Sequence, residues 1–393
     1  MLNNQSNFAP APYWRLSSCY FFYFCALGAM VPYWGPYLKS LGFDAIAIGQ
    51  LMAVLASTKI IAPYLWGWLA DRVGYRLRII QITTFITMLC FAGVLLNQSW
   101  WWFACVMFLF GFFSNAGMPQ FEVMTLLHLG DDHHRYSQIR LWGSIGFIIT
   151  VLCTGPLLTW WGQAVLPYIL LVWFGLAWLV TLLMPAAKEQ VVDNYSTVSV
   201  WSIFKQPAVL LIFVAAFLMQ VAYGPYYSFF SIYLEAHGYS KTQVGIYWAV
   251  GVIAEVIVFF YMNRLLPRYG AVVLMQCCLA FAVLRWVLTA VFVDQPVILF
   301  FSQTLHAFSF GMFHAVMINH VHRYFTGSLH GRGQALYSSI TFGAGGALGS
   351  WLAGYSWDSW GGSATYLACA VIAAVGYLIA RTELKTFQRY SPI

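Results

Sequence analysis

The chain has 393 residues, of which 61% are hydrophobic and only 8% charged, and its mean hydropathy is +0.72. Soluble domains carry roughly a quarter of their residues as charges, so this composition excludes a water-soluble globular protein and predicts an integral membrane protein. The net charge of +7 has no soluble basic domain to occupy, which makes it a matter of membrane topology and not of nucleic-acid binding.

Apolar runs of roughly 20 residues, enough for a helix to cross a bilayer, lie at 13–38, 45–69, 77–96, 100–127, 137–161 and 165–184. A polar connection at 185–206 follows, and six more runs lie at 207–234, 243–263, 271–292, 296–320, 333–357 and 363–381. Run length and the lack of sustained alternation exclude spanning strands. The expected fold is therefore all-α, with twelve spans arranged as six in 1–184 and six in 207–393, joined by a linker at 185–206. Residues 1–14 lack the basic start and short apolar core of a cleaved signal, so the first span is expected to be retained. The Cys residues, at 19, 25, 90, 105, 153, 277, 278 and 369, have neither zinc nor redox spacing and are expected to pack as small residues. No metal or cofactor is expected. The 18 Trp, 24 Tyr and 32 Phe exceed what interfacial belts need, so some rings are expected to line a cavity.

Basic residues assign the sides of the membrane. One set of connections and ends carries Arg15, Arg72, Arg76, Arg78, Arg135, Lys188, Lys205, Arg264, Arg268, Arg323, Arg332, Arg381, Lys385 and Arg389, whereas the other carries Lys39 and Lys241. Both termini and the linker are thus expected in the cytoplasm. The halves also resemble each other at an offset of 196 positions: Tyr37-Leu38 returns as Tyr233-Leu234, Gly42-Phe43 as Gly238-Tyr239, and Gly49 as Gly245. At that offset Lys59 falls on Glu255, placing a cation and an anion at equivalent depths of two repeats, as transporters do.

Five charges lie inside the spans: Lys59, Glu122, Arg140, Glu255 and Arg285. Each costs about 2.5–3.5 kcal/mol at mid-bilayer on insertion scales, so partners or a water-filled path are required and a working site is the default reading. Glu122 and Arg140 enter from the same loop at depths differing by only ~3 Å, so they are expected to meet between the fourth and fifth spans. Glu255, Arg285, His306 and His314 fall on spans eight, nine and ten. The two histidines stand roughly 80° apart on an ideal helix, so one flank is expected to present both. The first span carries Pro32 and Pro36 and the seventh Gly224-Pro225 amid Tyr223, Tyr226 and Tyr227; both are expected to bend or unwind where they line a cavity. Gly343, Gly345, Gly346, Gly349 and Gly354 give the eleventh span a small-residue face for close helix approach.

After the second span the chain reads Gly67-Trp-Leu-Ala-Asp71-Arg72-Val-Gly74-Tyr-Arg76, which resembles the signature loop of the major facilitator superfamily. The resemblance implies that Asp71 pairs with charges near the eleventh span and latches the cytoplasmic side when the outside is open. The second copy of the loop keeps Arg268 and Gly270 but has Pro267 in place of the aspartate. Within that superfamily the chain resembles the lactose permease group and, more closely, bacterial phenylpropionate permeases, through IRLWGSIGF at 139–147, GYSKTQVGIYWAVGVIAEVIVF at 238–259, LRW at 284–286, LHAFSFGMFHA at 305–315 and QALYSS at 334–339. This implies a sugar-gripping pair at Glu122 and Arg140 and a proton-coupling cluster at Glu255, Arg285 and His306, with His314 and Glu122 as further candidates. Ser309 and Phe310 stand where the sugar carriers have a carboxylate, and Lys59 is a further departure that suits an anionic substrate.

The expected function is proton-coupled symport of a small organic solute, an aromatic carboxylate, into the cytoplasm of a bacterium through its inner membrane, by a monomer. Lys59, Arg140 or Arg285 would neutralise the carboxylate, and Tyr33, Tyr223, Tyr227 and Trp248 would take the ring. A sugar or nucleoside symporter using Glu122 and Arg140 is the alternative within this class; a channel or non-transporting receptor is the alternative outside it. No HExxH, GxSxG or paired-aspartate motif supports an enzyme.

Overall fold

The structure, a computed structural model, describes residues 12–130, 132, 135–187 and 199–390; Lys188 and half of the expected linker lie outside them. Among the described residues the chain is helical with no strand. The first half comprises α1 (Tyr13–Ser40), α2 (Ala45–Val73), α3 (Arg76–Leu95), α4 (Trp100–Leu129), α5 (Tyr136–Trp161) and α6 (Gln163–Leu182). A short helix, Val200–Phe204, precedes α7 (Pro207–Ala236), α8 (Lys241–Tyr269), α9 (Ala271–Val291) and α10 (Pro296–Tyr324). The last helical stretch, His330–Thr382, is interrupted at Gly361, where φ is 77° and ψ 175°. A left-handed glycine cannot continue an α-helix, so this stretch is two spans, α11 (330–360) and α12 (from 362). Twelve helices thus form two six-helix bundles.

The repeat extends to backbone geometry. Gly42 and its counterpart Gly238 have φ of 89° and 83°, and each is followed two residues later by the N-cap of a long helix. Asp44 accepts the Ala47 N–H at 2.7 Å to start α2, and Ser240 accepts the Gln243 N–H at 3.3 Å to start α8. Capping of this kind satisfies amides that the first helical turn leaves free.

Among the described residues the bundles meet chiefly through α1 with α7, α2 with α11, and α5 with α8. The last two cross closely at the end away from Arg72 and Arg76, each at one of the repeat-related glycines. A Cβ on Gly49 would stand 2.7 Å from Gly354 Cα, and one on Gly245 would stand 2.7 Å from the Val151 carbonyl oxygen. Either crossing closes only because no side chain intervenes. The Tyr33 hydroxyl fastens the second one, donating to Val151 O at 3.0 Å and across the bundles to Lys241 O at 3.2 Å. This end of the molecule is therefore sealed.

The glycines of α11 serve two neighbours: Gly343 and Gly354 face α2, whereas Gly345 and Gly349 face α7. The expected unwinding at the prolines does not occur, for α1 and α7 run as continuous helices through Pro32, Pro36 and Pro225. Irregularity falls elsewhere, in π-helical turns at Ala307–Met312 in α10 and Ser339–Gly345 in α11. Such turns gather at functional sites because they reset which face a helix presents. Exposed aromatics mark both ends, with Trp101, Trp160 and Trp161 at the sealed one and Trp14, Trp68, Tyr75 and Tyr269 at the other, as interfacial belts do.

Candidate functional site

A cavity of about 1100 Å³ lies between the bundles, lined by both. Its lining runs from Trp34 and Ser350 to Tyr136, Gln138, Met262 and Asn263 near the Arg-rich end. The first bundle contributes Phe24, Lys59, Asn115, Glu122 and Arg140, and the second contributes Tyr226, Tyr227, Trp248, Glu255, His306, Phe310, His314 and Phe342.

In the second bundle the polar groups form a chain that ends at the cavity. Arg285 is fully buried behind the wall. It donates to Tyr223 Oη at 2.7 Å, His306 Nδ1 at 3.0 Å and Gln303 Oε1 at 3.1 Å, and its guanidinium lies 4.2 Å from the Tyr226 ring centre and 4.6 Å from that of Trp286. A guanidinium only donates, so His306 Nδ1 must accept and the imidazole proton resides on Nε2. That nitrogen stands 3.6 Å from Glu255 Oε2. Room for the carboxylate comes from Gly311, where a Cβ would meet Glu255 Cγ at 2.5 Å. Tyr223 passes its own hydrogen bond to Ser309 at 2.7 Å, so the residue replacing the missing carboxylate ends a neutral relay.

Several expected placements are corrected. Tyr33 and Tyr223 do not line the cavity: one hydroxyl is used at the sealed end and the other is held by Arg285. Arg285 itself is screened from the cavity by His306 and the aromatic rings. Glu122 and Arg140 share the cavity wall but form no ion pair among the described residues. Arg140 folds over the Phe24 ring, 4.1 Å from its centre, a contact worth roughly 0.5–2 kcal/mol, and Glu122 receives only a 3.4 Å bond from the Tyr136 hydroxyl. His314 lines the same cavity as His306, as expected of one flank of α10, and its ring is bonded to Tyr337 Oη at 3.2 Å. Tyr227 and Trp248 do line the cavity.

Lys59 has no carboxylate within ion-pair distance among the described residues; its Nζ lies 5.9 Å from the centre of the Phe342 ring. The helix around it is tied across the bundles. Pro63 has no N–H to offer the carbonyl four residues back, and Ser339 Oγ of α11 supplies the bond instead, at 3.4 Å to Lys59 O and 2.8 Å to Ile60 O.

The signature loop is closed on itself. Asp71 pairs with Arg76, whose other arm donates to Gln120 at 2.6 Å. Gly74 takes the left-handed conformation that ends α2, with φ of 68°, and Gly67 is unobstructed. Arg72 and Arg268 lie over Trp68 and Tyr269 in their own turns. The latch expected of Asp71 near the eleventh helix belongs to a state open at the other end; here its carboxylate pairs with Arg76.

Sequence reasoning missed Phe310, Phe342 and Asn115. A signal was available for the two phenylalanines: Ser309-Phe310-Gly311 and Thr341-Phe342-Gly343 are the same short pattern, each lies in a π-helical turn, and each sends its ring into the cavity.

Two six-helix bundles, sealed at one end around a charged and aromatic cavity that both of them line, define a membrane transporter of the major facilitator type. The chain belongs to the MFS_1 like family, whose model matches residues 13–368. It is similar to the "Probable 3-phenylpropionic acid transporter" of Escherichia coli (strain K12), at 28% identity over 86% of this chain and 89% of that protein. It is also similar to the "Maltose permease" of Geobacillus stearothermophilus, at 26% identity over 92% of this chain and 91% of the relative. Among solved structures, a mutant of the nucleoside transporter NupG superposes with a TM-score of 0.85 at 19% identity, covering 94% of this chain and 99% of that one; this likeness is one of fold.

Proposed function

We propose that the protein is a proton-coupled symporter that imports a small aromatic carboxylate across the bacterial inner membrane by alternating access. The observation that carries the substrate class is Lys59, a cation on the cavity wall without a carboxylate partner among the described residues, facing a wall of aromatic rings. An anionic substrate would provide the missing counter-charge, and Tyr226, Tyr227, Trp248, Phe310 and Phe342 would take its ring. The name of the Escherichia coli relative supports this reading.

For the proton, Glu255 is the best-placed group. It faces the cavity, its near polar neighbour is His306, and that histidine is held in one tautomer by a buried arginine whose other contacts, Tyr223, Gln303 and the Tyr226 and Trp286 rings, are neutral. The fixed charge of Arg285 lets Glu255 change its own charge without rearranging the wall behind it. The seal at Gly49 and Gly245 fits a state that faces the cytoplasm, the side to which the Arg-rich connections belong.

A second reading, a sugar or nucleoside symporter, draws on Glu122 and Arg140, which line the cavity without pairing to each other and are open to substrate hydroxyls. Uptake of labelled aryl acids, sugars and nucleosides into proteoliposomes with an imposed pH gradient decides between them. Gradient-dependent accumulation of an aryl acid alone supports the proposal, and accumulation of sugars or nucleosides alone overturns it.

A further inference from the structure

The cavity wall beside Lys59 holds a hydrogen-bond acceptor whose orientation is set by its surroundings. The Thr58 hydroxyl donates to Leu55 O at 2.7 Å, so Thr58 Oγ1 is left to accept. Asn115 Nδ2 donates to that oxygen at 2.8 Å and to the Gly111 carbonyl, which can only accept, also at 2.8 Å. Both amide hydrogens are then used, and the side chain cannot flip without placing its carbonyl oxygen against two acceptors. The contact is possible because α4 approaches α2 closely one turn earlier, where a Cβ on Gly111 would stand 2.7 Å from Thr58 Oγ1. Asn115 lines the cavity, and its Oδ1 has no partner in the protein among the described residues. The Thr87 and Ser114 hydroxyls on this wall instead return to carbonyls of their own helices.

We infer that Asn115 is a specificity-determining residue, accepting through Oδ1 a hydrogen bond from a donor group on the substrate, so that the transported acid carries a hydroxyl in addition to its carboxylate. This rests on the aromatic-acid reading above and sharpens it. Because the Asn115 amide of α4 is anchored to Thr58 of α2, which directly precedes Lys59, the acceptor is held beside the turn of α2 that carries the cation, and both line the same cavity. Thr58 and Gly111 act as positioning residues that keep the acceptor turned toward the substrate.

The test compares Kd values of 3-phenylpropanoate, its 2-hydroxy derivative and its three ring-hydroxylated isomers for the wild type, Asn115→Ala and Thr58→Val, in detergent or nanodiscs. At least one hydroxylated acid should bind the wild type roughly three- to tenfold more tightly than the parent, the usual worth of one neutral hydrogen bond. Asn115→Ala should abolish that preference, so that the hydroxylated and parent acids bind this variant within about twofold of each other. Thr58→Val, which keeps the shape but frees the amide to turn, should reduce the preference. Equal binding of every acid by the wild type, or a preference that survives in Asn115→Ala, overturns the inference. If no aryl acid binds, the aromatic-acid reading fails on its own, and the same ratio is read on sugar and deoxysugar or nucleoside and deoxynucleoside pairs. There a hydroxyl preference lost in Asn115→Ala supports the role of Asn115, and one retained overturns it.

Discussion

Lys59→Ala separates an anion carrier from a sugar carrier. The substitution removes an ammonium group 5.9 Å from the centre of the Phe342 ring, with no carboxylate of the protein in ion-pair range among the described residues. Its main-chain role is untouched, since Ser339 bonds the carbonyls of Lys59 and Ile60 and not the side chain. If the substrate carboxylate is its partner, the mutant leaves that carboxylate unpaired in the cavity, a penalty of about 2–5 kcal/mol for a buried pair. At about 1.4 kcal/mol per tenfold change, Kd should rise between roughly 30-fold and several thousandfold. Lys59 is half-buried on a wide cavity, where water screens part of the charge, so the lower end of that range is expected. Binding of 3-phenylpropanoate and its amide to both proteins, measured by calorimetry, provides the check. The acid should lose affinity, and the amide should bind mutant and wild type alike. Thermal stability should hold to within about 0.5 kcal/mol, because no buried counter-charge is orphaned. Equal losses for acid and amide would refute the anion site.

Glu255→Gln should abolish accumulation driven by a pH gradient while substrate exchange persists, because the carboxamide fills the space under Gly311 without titrating; undiminished accumulation would move the proton to Glu122 or a histidine. Tyr33→Phe deletes the hydroxyl that spans to Lys241 O and should shift the population toward opening at the sealed end by about 0.5–1.5 kcal/mol, read as faster labelling of a cysteine introduced in the cavity by an impermeant reagent from outside. Unchanged labelling would show the strap to be idle. Asp71→Asn should slow turnover with little change in equilibrium binding, since Asp71 and its partner Arg76 lie at helix ends outside the cavity lining; lost affinity at normal rates would contradict this.

The sequence alone determined the class of this protein, because run length, charge content and the 196-residue repeat are properties of a chain in a bilayer and need no knowledge of neighbours. It also determined which charges are costly enough to demand a role, and it placed Glu255, His306 and Arg285 on helices that do pack together. Azimuth and partner were decided only by tertiary structure. Glu122 and Arg140 enter the membrane at matching depths, yet Arg140 turns onto Phe24, since depth along a helix says nothing of which neighbour offers the better surface. Tyr33 and Tyr223 sit among helix breakers as Tyr227 does, yet rotation about the helix sends one to an interbundle crossing, one behind the wall and one into the cavity. The π-helical turns of α10 and α11 shift the register that any 3.6-residue count assumes, and the rings of Phe310 and Phe342, one from each turn, come within 6.2 Å of each other. Helical periodicity is local physics; the meeting of two bundles is not.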